Sequence, residues 1–247
     1  MSKVALVTGS AIGIGRAIII ELAKAGYDVV INYNTSKDKA YELNEEIKQY
    51  NVRSLVIKCD VSSEKDVDLM FNQIENELGG VDILVNNAAI DCPSMFFEKT
   101  IETFKRTLDV NLLGSYITAR RAYNHMINAK WGRIINISST NGMNTYYPMG
   151  IEYDTSKAAL NALTHNLAIQ FAPYVTVNAI APGFIGTENE LKDYDEEFMN
   201  MELDKIMAHR FGEPTEVAHL VKFLASDEAS YINNSIIRID GGQYSSC

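Results

Sequence analysis

The sequence predicts a single doubly wound α/β domain, residues 1–247, with a seven-stranded parallel sheet and helices on both faces. Three observations predict it. Short β-branched runs recur along the chain, and they are continuously apolar rather than alternating, as strands buried on both faces must be. Longer segments of helical period separate them, which suits the crossovers that parallel strands require. No linker, internal repeat or low-complexity block interrupts this rhythm over 247 residues.

"KVALVT" (3–8) reads as a buried strand, and "GIGRAIIIELAKAG" as a helix stopped by Gly26. "DVVINY" (28–33) is a second strand, followed by a charged helix over 37–50. "RSLVIKCD" (53–60) is a third, and "SEKDVDLMFNQIENELGG" a helix beginning after Ser62 or Ser63, both competent N-caps. "DILVNNAA" (82–89) is a fourth strand, a long helix covers about 101–129, and "GRIINISS" (132–139) is a fifth strand. A helix carrying Tyr153 follows, then "YVTVNAIAPG" (174–183), helices over about 188–208 and 214–225, and "SIIRIDGG" (235–242) as the seventh strand.

Composition narrows the function. With 47% hydrophobic and 22% charged residues the chain can bury a core. A net charge of −10 is the opposite of a nucleic-acid footprint, so no nucleic-acid partner is expected. The opening "SKVALVTG" has no signal-peptide pattern, and no apolar run approaches the ~20 residues of a membrane span, so a cytoplasmic protein without a membrane partner is expected. Cys59, Cys92 and Cys247 are odd in number and widely spaced, and the four histidines are scattered. Neither a disulfide framework nor a metal site is predicted.

In a doubly wound sheet, ligands bind beyond the carboxyl ends of the strands. After the first strand comes "TGSAIGIG", where Gly9, Gly13 and Gly15 permit a tight turn and let backbone N–H groups approach a pyrophosphate at a helix N-terminus. In "GIEYDTSKAALNALT" (150–164), Tyr153 and Lys157 lie four residues apart, on one helix face. An ammonium so placed favours the phenolate and lowers the tyrosine pKa towards a range useful for acid–base chemistry.

T-G-x3-G-x-G, "NNAA", a serine after the fifth strand and Y-x3-K together resemble the short-chain dehydrogenase/reductase family, in order and over nearly the whole chain. "DILVNNA", "GRIINISS", "VNAIAPGFIGT" and "EASYINNSIIRIDGG" are most similar to 3-oxoacyl-carrier-protein reductases and their sugar, polyol and steroid dehydrogenase relatives. The resemblance implies a Rossmann-type fold and a nicotinamide cofactor. Gly9, Ser10, Ile12, Gly13, Ile14 and Gly15 would line its phosphates, Asp60 and Val61 its adenine, and Asn87 and Ala88 its ribose, with a sheet-bridging amide the other reading of Asn87. "PGFIGT" would hold the carboxamide, with Pro182 and Gly183 shaping the loop and the Ile185 backbone and Thr187 hydroxyl as contacts. After the second strand, Tyr33 takes the slot that NAD enzymes give to an acid, and Asn34 follows. Ile12 stands where many NADP-using relatives carry Arg, leaving Lys37 or Lys39 as substitute anchors. NADP is the expected cofactor, with NAD the alternative.

The same resemblance makes Asn111, Ser139, Tyr153 and Lys157 a catalytic set. Ser139 and Tyr153 would contact the substrate oxygen, Tyr153 and Lys157 would also touch the cofactor, and Asn111 would hold a water that returns protons to Lys157. Ser138 competes with Ser139; successive strand residues face opposite ways, and Gly142 three residues on favours Ser139. Met143, Tyr146, Tyr147 and Met149 would wall an apolar pocket or pack a loop, and 188–209 is a candidate lid. The substrate is expected to be a small carbonyl or alcohol. It would be a 3-oxoacyl group, carrier-protein-linked, or else a sugar, polyol or steroid. Lys130 suits an acidic carrier, whereas Ile169 and the net charge of −10 do not. A non-catalytic nucleotide-binding regulator is the alternative of another class. The alanines Ala158, Ala159 and Ala162 permit close helix approach, and the resemblance implies a homotetramer, although small residues also pack on sheets.

Overall fold

The computed structural model describes residues 2–187 and 195–244. Its strands are β1 (Val4–Val7), β2 (Asp28–Tyr33), β3 (Ser54–Lys58), β4 (Ile83–Asn86), β5 (Gly132–Ile137), β6 (Val175–Pro182) and β7 (Ile236–Ile239). They form one seven-stranded sheet in the order β3-β2-β1-β4-β5-β6-β7, every neighbouring pair parallel. Helices α1 (Gly13–Lys24), α2 (Lys37–Ile47), α3 (Glu64–Leu78), α4 (Ile101–Leu108), α5 (Gly114–Ala129), α6 (Ile151–Phe171), α7 (Glu196–Asp204) and α8 (Pro214–Ala225) connect and cover them.

Alternation along each strand divides the core. Ala5 and Val7 of β1 pack with α1 and α8 on one face, joined by Val29, Ile31 and Val85. Val4 and Leu6 pack on the other with Val67, Phe71 and Ile74 of α3, Ala119 and Ala122 of α5, and Leu167 and Phe171 of α6. Both faces are covered, which is why the strands are mostly apolar. The strand order reverses between β1 and β4, and the loops beyond their carboxyl ends open there into a crevice.

Two expected helices end differently from the sequence reading. The long one over 101–129 is interrupted by a π-turn, Asp109–Leu113, between α4 and α5. The expected helix 188–208 is present as α7, with 188–194 lying outside the described residues. Ser63, rather than Ser62, caps α3, accepting from the Asp66 N–H at 3.3 Å.

A buried polar chain crosses the middle of the sheet. Asn86 and Asn136 are register partners on β4 and β5, and Asn86 Nδ2 donates to Asn136 Oδ1 at 2.9 Å. Asn136 Nδ2 donates to Thr164 Oγ1 of α6 at 2.8 Å, while Thr118 Oγ1 of α5 donates to Asn86 Oδ1 at 2.7 Å. The chain pins α5 and α6 to the sheet, and removing one member strands buried partners. Asn136→Ala is expected to cost about 2 kcal/mol, a fall of about 4–8 °C in Tm for a chain of this size, measured by thermal unfolding.

Candidate active site

The turn after β1 is held from both sides. Thr8 Oγ1 accepts the N–H groups of Asn87 and Ala88, each at 3.0 Å. Asn87 Nδ2 donates to the carbonyls of Thr8 (2.9 Å) and Gly9 (3.1 Å), so this amide ties β4 to the β1 turn. From β2, Asn32 Oδ1 accepts the Gly9 N–H at 2.9 Å. Gly9 has φ +61°, and a Cβ there would sit 2.9 Å from Ala88 Cα; one on Gly15 would sit 2.6 Å from Asn87 Nδ2. Only glycine lets the strands close on this turn. No side chain caps α1 at Ile12, so its first N–H groups face the crevice, the arrangement that receives phosphate.

The crevice has a volume of about 400 Å³. Gly9, Ile12, Gly13, Ile14 and Gly15 line it together with Asn34, Asp60 and Val61, Asn87 and Ala88, and Thr187. Ser10, fully buried, turns inward instead: its hydroxyl accepts the Asn32 N–H at 3.1 Å. Asp60 is bound by Arg106 Nη2 at 2.7 Å and Ser62 Oγ at 2.6 Å. Burial pushes its carboxyl up, but the bonds from Ser62 and Arg106 outweigh that and hold it below the usual range. Arg106 and Asn32 escaped the sequence reading. The amide inside the apolar run "DVVINY" was the available signal for Asn32; Arg106 reaches Asp60 across 46 residues of chain and left none.

At the ends of β5 and β6 the remaining residues gather. Lys157, 2% exposed, donates from Nζ to the Ile137 carbonyl at 2.8 Å, and Nζ lies 5.3 Å from the centre of the Tyr153 ring. Burial pushes the amine down from 10.5 to about 8. The two serines separate as their alternation requires: Ser138 Oγ donates to the Lys157 carbonyl at 3.3 Å, whereas Ser139 starts the next turn and accepts the Asn141 N–H at 3.1 Å. A Cβ on Gly142 would meet the Lys157 carbonyl carbon at 2.6 Å, so this glycine lets the turn press on α6.

Asn111 lies in the π-turn, where one unpaired register step turns its side chain towards the site. Its Oδ1 accepts the Ile90 N–H at 2.8 Å, and its Nδ2 donates to the Ile90 carbonyl at 3.0 Å and to Ser156 Oγ at 3.0 Å. The amide thus joins the crevice wall to the helix of Tyr153 and Lys157. Pro182 ends β6, and the Gly183 N–H donates to the Ile239 carbonyl at 3.0 Å. Ile185 is buried in the core and bridged to Gly212, and its carbonyl accepts the Thr187 N–H at 2.7 Å, while Thr187 stands across from Gly13. Tyr147 OH donates to Glu202 Oε2 of α7 at 2.7 Å, and its ring meets Phe184 edge-on, so the segment before α6 and α7 are in contact.

Comparison with known proteins agrees with this geometry. A family model described as "Enoyl-(Acyl carrier protein) reductase" matches residues 9–244. The 3-oxoacyl-[acyl-carrier-protein] reductase FabG of Aquifex aeolicus is 41% identical, over 98% of this chain and 97% of its own. Glucose 1-dehydrogenase 2 of Bacillus subtilis is 37% identical, over 97% and 94%. The crystal structure of a gluconate 5-dehydrogenase from Burkholderia cenocepacia, in complex with NADP and tartrate, superposes with a TM-score of 0.91 at 30% identity, covering 98% and 95% of the two chains. The chain belongs to the short-chain dehydrogenase/reductase family of nicotinamide-dependent oxidoreductases. Among the described residues no helix is long and apolar enough to cross a membrane.

The buried amine carries a stability signature. Between about pH 8 and pH 10.5 an unfolded Lys157 holds a proton that the folded one has lost, so folding stability rises through that window as the penalty on the buried ammonium disappears. Lys157→Met fills similar volume without a charge. It is expected to melt above the wild type at pH 7, by up to about 3 kcal/mol of stability, and to lose that advantage towards pH 10, as read from Tm against pH without ligand.

Proposed function

We propose that the chain reduces a carbonyl group with NADPH, with a 3-oxoacyl thioester as the leading substrate class. The observation that carries this reading is Lys157, buried with its amine between the Ile137 carbonyl and the Tyr153 ring. Tyr153 is half-buried above it, where its phenol donates a proton to the oxygen that develops charge during reduction. The nearby ammonium favours the phenolate left behind, and an amine near pH 8 exchanges its own proton under ordinary conditions. Ser139, at the end of the same strand, hydrogen-bonds the substrate oxygen as charge builds. Asn111 keeps Ile90 and Ser156 in register and is the family's candidate for holding the water that resupplies Lys157.

The residues present fit a dinucleotide: a cradle that any Cβ would fill, a free helix N-terminus and a crevice of about 400 Å³ beside an acceptor at Asp60. When bound, the nicotinamide supplies the hydride that no side chain can. Gly9 to Gly15 would hold its phosphates, Asp60 and Val61 its adenine, and the Ile185 backbone with Thr187 its carboxamide. Preference for the 2′-phosphate rests on Asn34, Thr35 and Ser36, which line the crevice where NAD enzymes place an acid, with the exposed Lys37 beside them. The NADP complex of the gluconate 5-dehydrogenase supports the same choice.

A sugar or polyol substrate is the second reading. It is favoured by Ile169, 72% exposed on α6 where a carrier-binding enzyme would show a cation, and by the glucose and gluconate dehydrogenases among the relatives. Ala158 and Ala162 are exposed on the same helix, free to meet a second copy, and support a homotetramer testable by light scattering.

An acetoacetyl thioester, glucose and gluconate, each with phosphorylated and unphosphorylated nicotinamide, separate these readings by absorbance at the reduced ring. Turnover is expected with the thioester and NADPH, and Tyr153→Phe is expected to lower kcat by at least about 10²-fold. Lys37→Glu is expected to weaken NADPH binding about tenfold or more by charge reversal while sparing NADH. Binding of NADPH with no turnover of any carbonyl would instead indicate a nucleotide-binding regulator.

A further inference from the structure

Tyr153 stands between two acids, Glu152 and Asp154, and both are buried. Each reaches a different loop. Asp154 Oδ1 accepts from Asn141 Nδ2 at 2.7 Å, and the Asn141 N–H donates to Ser139 Oγ, which ties that side of the turn to the end of β5. Glu152 runs the other way. Its side chain is 0% exposed and pairs with Lys99, itself 5% exposed, at 2.6 Å. Lys99 Nζ also donates to the Cys92 carbonyl at 2.7 Å. Cys92 belongs to the segment after β4, two residues beyond Ile90, which borders the crevice. The Ser94 N–H of the same segment donates to the Met149 carbonyl just before α6.

Stability explains this ion pair poorly. Apolar side chains of similar volume often replace a buried pair at no loss. Glu152 Oε2 is buried and has no hydrogen-bond partner among the described residues, an arrangement that a purely structural contact has no reason to keep. The charges of Asp91 and Asp154 fall in the same neighbourhood, and burial together with Glu152 pushes both carboxyls up, so Lys99 faces an acidic surrounding. What the pair supplies and an apolar contact would not is a tether from the Cys92 main chain to the first turn of α6.

We propose that Lys99 and Glu152 are positioning residues: their buried pair sets the gap between the segment after β4 and the turn that carries Tyr153, and so places the phenol against the substrate oxygen. This rests on Tyr153 being the proton donor. A displacement of about 1 Å at such a gap is enough for a loss of about 10²-fold in rate.

The test uses Lys99→Met, Glu152→Gln and the apolar double variant Lys99→Met/Glu152→Leu, with Tyr153→Phe alongside. Each is measured for kcat and KM with an acetoacetyl thioester and NADPH, for NADPH Kd by fluorescence without substrate, and for Tm. The double variant is expected to recover the Tm lost in Lys99→Met yet remain about 10²-fold low in kcat/KM. Its NADPH Kd should stay within about twofold of wild type, since neither Lys99 nor Glu152 lines the crevice. Recovery of kcat/KM together with Tm overturns the proposal, because the pair is then core filling alone; wild-type kinetics in Lys99→Met overturn it as well. Should Lys99→Met fail to fold, Glu152→Gln keeps the shape and an acceptor for Lys99. A fall in its kcat/KM of about tenfold at unchanged Kd then supports the tether, and unchanged kinetics overturn it. Tyr153→Phe keeps the two readings apart: surviving turnover removes the proton donor itself, whereas abolished turnover beside an unaffected double variant removes only the positioning pair.

Discussion

The burial of the Lys157 amine against the Ile137 carbonyl, beneath the ring of Tyr153, constrains everything at the carboxyl end of the sheet. A lysine amine that is 2% exposed loses its water, and a single main-chain carbonyl is a thin replacement, which is why burial pushes the group down to about 8. The fold accepts that cost locally and holds the amine in place by packing. Gly142 lets the turn after β5 lie on the backbone of Lys157, Ser138 bonds its carbonyl, and Asn136 anchors Thr164 two turns further along α6. The helix that bears Tyr153 is therefore fixed by the sheet interior and not by its own exposed face.

The crevice follows the same logic at the other side of the switch point. Its glycine turn is shaped by Thr8, Asn32 and Asn87, whose polar atoms bond backbone groups just beyond β1 and β4, with Asn32 Nδ2 donating also to the Ile57 and Cys59 carbonyls. With the turn so held, no side-chain cap bond forms at Ile12, at the N-terminus of α1, among the described residues. Asn111 connects this wall to α6 through Ile90 and Ser156, so the crevice and the helix that bears Tyr153 and Lys157 are joined by one set of hydrogen bonds. The reductase and dehydrogenase relatives differ by name in what they act on, and in this chain segment 143–150 meets α7 through Tyr147 and Glu202.

Much of this was legible before any coordinates. The strands are short and dominated by apolar residues, as a parallel sheet covered on both faces requires, although β3 at one edge is only partly buried. β7 was marked by its β-branched run, although in the structure it is only partly buried. Tyr153 and Lys157 were readable because helical spacing alone puts them on one face. Alternation allowed only one of Ser138 and Ser139 to face the crevice, and the choice of Ser139 rested on Gly142 matching the family pattern. The π-turn was not readable, since "LDVNLLGS" carries helical period throughout and the extra residue appears only as Asn111 turns to meet Ile90. Ser10 looked like a phosphate contact within its motif and proved to face β2.

Local residue chemistry, repeated at the right period, determined the fold class, the glycine turn and the Tyr–Lys pair, because each depends on neighbours within one or two turns of chain. Tertiary structure decided which polar groups meet across long separations: Arg106 with Asp60, Lys99 with Glu152, Tyr147 with Glu202. No periodicity encodes such pairs. They form only after the strand order has brought distant loops to one end of the sheet, where loss of hydration favours pairing of polar groups.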